Sequence, residues 1–209
     1  MLVDFIERGT ELSHEGWKPA LTEGSDKKQK ITSFLPETNL KNSAQTRFLF
    51  RVKNCKLEDC LPLVTDPELR TTIDSQLESV KLVKSLPLNT KLLHLKFKTN
   101  FLRSPQDQVL LCHTVRFKDK AWVIDYSVDD DDTPLQKGVV RSQVNSLIYH
   151  FKPDPEIHGY TVIVEQDVPI ADNENTSAVQ NAQLKAGVKT WEKFLQVVAK
   201  AAKVRSQIK

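Results

Sequence analysis

The run Trp122-Val123-Ile124-Asp125-Tyr126-Ser127-Val128 leads into four aspartates, Asp129, Asp130, Asp131 and Asp132, and then into Thr133-Pro134-Leu135-Gln136-Lys137-Gly138-Val139-Val140-Arg141. The first part is dense in β-branched and aromatic residues, and a second strand-like run resumes at Val139. Pro134 has no N–H to give to a strand ladder, and Gly138 admits the backbone angles that return a chain. The two runs therefore read as the central hairpin of a sheet.

Working outward, Phe48, Phe50 and Val52 alternate with Arg47, Arg51 and Lys53, the pattern of a half-buried strand. Further strands are predicted at residues 17–21, 30–35, 80–84, 92–98, 109–117, 139–151 and 160–166, most joined by short turns as in an antiparallel meander. Residues 56–64 have helical character, and Asp66-Pro67 starts a short helix with proline in its first turn. Leu2, Phe5, Ile6, Gly9 and Leu12 recur at helical spacing and predict an N-terminal amphipathic helix ending near Gly16. At the other end Leu184, Val188, Trp191, Leu195, Val198 and Ala202 advance by alternate steps of four and three, one apolar stripe of a long helix. Burying its five large side chains is worth about 7–15 kcal/mol at most, so this helix packs against the sheet. The order of elements gives an α+β domain in which a curved sheet receives the last helix.

The chain has 209 residues with ten dispersed prolines and no Gly/Ser tract, so residues 1–209 read as one domain. Such a length buries roughly 70% of the unfolded surface, enough for a core with an internal cavity. Cys55, Cys60 and Cys112 are odd in number and lack Cys-x-x-Cys spacing, which fits a reduced, cytoplasmic protein. Asp4, Glu7 and Arg8 interrupt the apolar residues at the start, so no signal peptide is expected, and no later run approaches the ~20 apolar residues of a membrane span. A net charge of +3 without interleaved aromatics argues against nucleic acid. Lysines are concentrated in the last helix, either as a solvated face or as an attraction to anionic lipid headgroups.

Three motifs carry a resemblance to the START (steroidogenic acute regulatory-related lipid transfer) domains. Pro134-x-x-Lys137-Gly138-x-Val140-Arg141 after the tryptophan strand resembles the family's central hairpin. Asp66, Arg70 and Asp74 match its Asp-x-x-x-Arg-x-x-Trp-Asp segment, with Ile73 in place of tryptophan. Pro105-Gln106-Asp107 is similar to its Pro-Arg-Asp, with Gln106 in place of arginine. In spacing the similarity spans residues 17–167, and residues 168–175 lack the usual Gly-x-x-Pro spacing. The resemblance implies a helix-grip fold, an antiparallel sheet wrapped around the C-terminal helix with a tunnel for one lipid between them. An omega loop and the terminal helix would form its gate.

On that resemblance the expected lipid contacts are Asp74, Leu93, Leu95, Phe97, Gln106, Cys112, Asp125, Val188, Trp191 and Leu195. With Lys96 and Lys98 facing water, alternation turns Leu93, Leu95 and Phe97 inward. Leu95 and Cys112 stand where sterol-binding members often carry glutamate and arginine, so both charges are absent together. Asp74 and Asp125 stand where ceramide-type members set polar groups. Inside a tunnel these acids need hydrogen-bond partners or a raised pKa. Equally, Asp74 reads as a helix-end cap or a partner of Arg70, and Asp125 as a solvent-facing strand residue. Phe101 and Leu102, between Lys98 and Arg103 in the omega-loop position, read either as a membrane-docking tip or as a plug closing the tunnel from inside.

Metal and catalytic chemistry have no visible residue set. His14, His94, His113, His150 and His158 lack metal-ligand spacing, although His94 and His113 are expected to neighbour each other on paired strands. The aspartate run lacks the spaced ligands, glycine and glutamate of an EF-hand. No nucleophile elbow, Walker loop or dinucleotide fingerprint occurs. The expectation is a monomeric, cofactor-free, non-enzymatic carrier that moves a sterol, ceramide-like lipid or phospholipid between membranes through transient peripheral contact. The alternatives are a lipid-sensing interaction module and an acyl-ester or acyl-CoA hydrolase.

Overall fold

The computed structural model describes residues 16–23, 30–99 and 104–207. Among them ten strands form one sheet: β1 (Trp17–Glu23), β2 (Ile31–Pro36), β3 (Ser43–Val52), β4 (Leu77–Leu86), β5 (Thr90–Phe97), β6 (Gln106–Phe117), β7 (Lys120–Ser127), β8 (Val140–Arg141), β9 (Ser146–Asp154) and β10 (Gly159–Pro169). Nine follow the order β1-β2-β3-β10-β9-β7-β6-β5-β4, antiparallel throughout. Three short helices, α1 (Leu57–Cys60), α2 (Pro62–Thr65) and α3 (Pro67–Ile73), fill the connection from β3 to β4, and α4 (Thr176–Gln207) closes the chain. This is the expected helix-grip arrangement, a curved antiparallel sheet holding a long terminal helix. The helix predicted at residues 1–16 lies almost wholly outside the described residues.

Local chemistry starts and stops these elements where the sequence indicates. Asp66 Oδ1 accepts hydrogen bonds from the N–H groups of Glu68 and Leu69 at 2.9 and 3.2 Å, while Pro67 occupies the position whose N–H would be unused. Asn175 Oδ1 does the same for Ala178 at the start of α4. On β3, Phe48, Phe50 and Val52 are buried, while Arg51 points outward and forms ion pairs with Asp154 and Glu156.

The strand predicted over residues 139–151 is broken in two, and the central hairpin is not a hairpin. β7 pairs with β9, whereas β8 crosses to lie parallel to β6. Asp107 causes the detour. Its carboxylate is 2% exposed and is held by Arg141 Nε at 2.7 Å, Arg141 Nη2 at 3.1 Å and His94 Nε2 at 2.8 Å. Burial opposes the Asp107 charge, but Arg141 and His94 outweigh it and hold the carboxyl below its ordinary range. The N–H groups of Val140 and Ser142 donate to the carbonyls of Pro105 and Asp107, so residues 140–142 are bound to β6 and cannot continue a β7 hairpin. Gly138, at φ +82°, makes the turn into this crossing. His94 and His113 are also not neighbours, because His113 pairs with Thr90 and His94 with Val109.

The core lies between the sheet's inner face and α4. Trp191 stacks on Phe50 at 5.7 Å between ring centroids and meets Tyr149 edge-on at 5.8 Å, and Phe194 packs edge-on against Phe50 at 5.8 Å. Phe194, 0% exposed, widens the predicted α4 stripe. At the far end of the sheet β10 begins at Gly159, where an added Cβ would stand 1.9 Å from the Val52 carbonyl oxygen of β3. Because that obstacle is backbone, Gly159→Ala is expected to lower stability by about 1–3 kcal/mol or more, read as a lower urea midpoint with unchanged slope. An unchanged midpoint would show that the two strands are not held this closely.

Candidate functional site

A cavity of about 420 Å3 opens between the inner face of the sheet and one flank of α4. Its apolar wall comes from Phe48, Leu95, Phe97, Leu110, Leu147 and Val164, every second residue of five strands, so the pleat itself builds it. α3 contributes Arg70 and Ile73, followed by Asp74. The helix flank above is built of small residues: Ala182, Ala186, Gly187 and Thr190.

Its floor is charged. Arg70 Nη2 donates to Asp125 Oδ2, joining α3 to β7, and lies 3.4 Å from the Tyr149 hydroxyl, long for a hydrogen bond. Arg70 is 5% exposed and Asp125 0%. Burial works against the guanidinium, but contact with Asp125 outweighs that and raises the Arg70 pKa, so its charge persists. Burial also pushes up the Tyr149 hydroxyl and the Cys112 thiol, the latter helped by Asp125, and keeps both neutral. Asp125 therefore faces inward with a protein counter-charge and is not a solvent-facing strand residue.

The cavity's polar atoms are incompletely used. Arg70 Nη1, Trp191 Nε1 and both amide atoms of Gln183 are buried without a hydrogen-bond partner among the described residues. Each such group costs roughly 1–3 kcal/mol while unmet, so together they mark where a polar ligand group gains most. Gln183 escaped the sequence reading because only its apolar neighbour Leu184 lies on the helix stripe. Tyr149, Gln108 and Gln166 also line the cavity; the sequence reading missed them, although strand parity with Phe151, Leu110 and Val164 was a signal that could have placed them inside.

Of the residues expected to contact a lipid, Asp74, Leu95, Phe97 and Trp191 line the cavity. Asp74 also caps the end of α3, its Oδ1 accepting from the Gln76 N–H at 2.9 Å, and burial raises its pKa against the influence of Gln76, Arg70 and Lys98. Asp125 sits beneath the lining, behind Arg70. Leu93 and Cys112 are buried in the core, and Val188 and Leu195 pack in it from α4. Gln106 lines a second cleft with Ser75, Phe97 and Lys98, which adjoins the cavity through shared Gln76. Phe101 and Leu102 lie outside the described residues.

The START domain sequence model matches residues 5–197. No curated protein matches the chain in sequence. Among solved structures, human STARD10 gives a TM-score of 0.81 at 14% identity, covering 98% of this chain and 82% of that one. Human StAR-related lipid transfer protein 5 gives 0.74 at 14%, covering 95% and 93%. The STAR-related lipid transfer protein of Xanthomonas axonopodis (fragment 25-204) gives 0.71 at 16%, covering 88% and 99%. At these identities the likeness is one of fold.

The floor pair yields a stability test. Arg70→Met leaves a carboxylate at 0% exposure without its counter-charge, and is expected to cost about 3–5 kcal/mol; Asp125→Leu has the same effect on the guanidinium. The double variant is expected to recover most of that loss in a urea-denaturation cycle. Additive losses would show that the two charges are not coupled.

Proposed function

The chain belongs to the START domain family, and from that premise we propose that its cavity takes up one lipid, which the protein shields from water and carries between membranes. The supporting observation is an apolar chamber with four buried polar atoms left unmet, on Arg70, Gln183 and Trp191. About 420 Å3 falls within the ~300–1,000 Å3 of ordinary ligand pockets. The similar human and bacterial structures include proteins named for lipid transfer, which is in keeping with this reading.

The polar end of the ligand follows from the atoms that await it. Three are donors, Arg70 Nη1, Trp191 Nε1 and Gln183 Nε2, and one is an acceptor, Gln183 Oε1. Since Arg70 already balances Asp125, the carboxylate does not call for a cationic head. The set favours carbonyl or phosphoryl oxygens accompanied by one hydroxyl or amide donor, a pattern that both ceramide-like lipids and phospholipids offer. We read the protein as a carrier and not a catalyst. No histidine, cysteine or serine lines the cavity among the described residues.

Membrane contact is assigned to the outer face of α4. Lys185, Lys189, Lys193 and Lys200 are exposed and fall within an arc of about 80° at 3.6 residues per turn, on the side away from buried Leu184, Trp191 and Val198. Half-buried Glu192 flanks this stripe. Among the described residues no helix is long and apolar enough to cross a membrane, so the contact is electrostatic and peripheral.

Two measurements test these assignments. Ala186→Phe places a ring in the chamber, and native mass spectrometry of the protein purified from cells is expected to lose the lipid carried by the unaltered chain while circular dichroism stays the same. A folded variant that retains its lipid would overturn the assignment of the site. Replacing Lys189 and Lys193 by glutamine is expected to weaken sedimentation with phosphatidylserine vesicles by about 2 kcal/mol at low salt, roughly thirty-fold. Equal binding at low salt would remove the α4 face from membrane contact.

A further inference from the structure

Away from the lipid chamber, the connection leaving β3 brings two thiols together. Cys60 Sγ donates to Cys55 Sγ at 3.6 Å, and Cys55 Sγ donates to the Val52 carbonyl at 3.3 Å. Cys55 is 8% exposed and lines a separate cleft of about 480 Å3 between α1, the β6–β7 turn and the β9–β10 turn. Cys60 is 0% exposed, directly behind it. Cys55 stands at the wall of the cleft and its neighbour lies deeper.

We propose that Cys55 and Cys60 form a peroxide-reactive dithiol site, with Cys55 the attacking sulfur and Cys60 the resolving one. In the first step the Cys55 thiolate attacks one oxygen of hydrogen peroxide. The O–O bond breaks, an S–O bond forms and hydroxide leaves, becoming water by taking the thiol's proton. In the second, the Cys60 thiolate attacks the sulfenic sulfur, forming the S–S bond and expelling a second hydroxide that leaves as water with the Cys60 proton. Two thiols are oxidised by two electrons, and one peroxide is reduced to two waters. The sulfurs close from 3.6 Å to about 2.05 Å.

Proximity is the main driving feature. Lys56, Arg116 and Lys118 line the cleft with Glu58, Asp119 and Asp154, and Arg51 already occupies Asp154. The remaining excess of positive charge is small, so the first step is the slow one. The second step is fast because the resolving thiol is held in place. α1, which carries Cys60, packs on α4, so the bond would fasten the end of β3 to the segment supporting the terminal helix. Cys112 is 1% exposed among Asp125, Arg70 and Tyr149 and lines no described cleft, so it provides an internal control.

The test is peptide mapping of the full chain after timed exposure to hydrogen peroxide and alkylation. The expected product has lost two hydrogens, links Cys55 to Cys60, reverts with dithiothreitol, and forms roughly tenfold faster than any oxidation of Cys112. Cys60→Ala is expected to leave a sulfenic acid on Cys55 that dimedone traps, and Cys55→Ala to abolish reaction at Cys60. Should either variant fail to fold, the map of the unaltered chain decides alone. Three intact thiols at a peroxide dose that oxidises free cysteine would overturn the proposal. So would a bond to Cys112, or irreversible oxidation of Cys55 without a bond.

Discussion

The structure depends on how one helix divides its circumference. α4 sets Leu184, Val188, Trp191, Phe194, Leu195 and Val198 into the core, while Ala182, Ala186, Gly187 and Thr190 look across the chamber from the adjoining flank. The large residues fix the helix on the sheet. The small ones keep it from filling the space beneath. Gly187 stands at the boundary between the two, since a Cβ there would come within 2.2 Å of the Phe48 ring. A chamber can persist beside a close-packed core because packing and spacing are done by different sides of the same rod.

The Arg70–Asp125 pair gives this arrangement its direction. It joins α3 to β7 at the chamber's floor. Burying two charges contributes little net stability, but each makes the other indispensable. The pair therefore pins one end of the chamber and leaves Arg70 Nη1 without a hydrogen-bond partner among the described residues. Asp107 performs the corresponding task on the outer face, where His94 and Arg141 tie β5 and β8 to β6. Two buried acids, one on each face and each matched by an arginine from a distant part of the chain, thus set the course of the sheet's central strands.

Most of the fold was legible because strand parity and helix periodicity are local signals. β3, β5 and α4 follow from alternating Phe48, Phe50 and Val52, from Leu93, Leu95 and Phe97, and from the stripe through Trp191. The break at residues 142–145 was not legible. Val139-Val140 has strand composition, and the ion pair between Asp107 and Arg141, 34 positions apart, together with the backbone bonds to β6, holds it on another strand. The site was readable in part for the same reason. Parity placed Leu95 and Phe97 on the wall, but the partner of Asp125 was Arg70, 55 positions away, and no spacing rule reveals such a pair. Cys55 and Cys60 likewise lack a recognised thiol spacing, and their contact depends on the turn between β3 and α1.

The size of the chamber bears on what occupies it. At about 24 cal/mol per Å3, a dry void of this volume would cost on the order of 10 kcal/mol, comparable to the whole stability of a domain. Water would satisfy Arg70, Gln183 and Trp191 but gains nothing from Leu95, Leu110 and Val164, and a pure hydrocarbon would leave the polar atoms unmet. A molecule with an oxygen-bearing head and an apolar tail satisfies both halves of the wall. Its binding would then contribute to the stability of the folded state by mass action, so that the loaded form is firmer than the empty one.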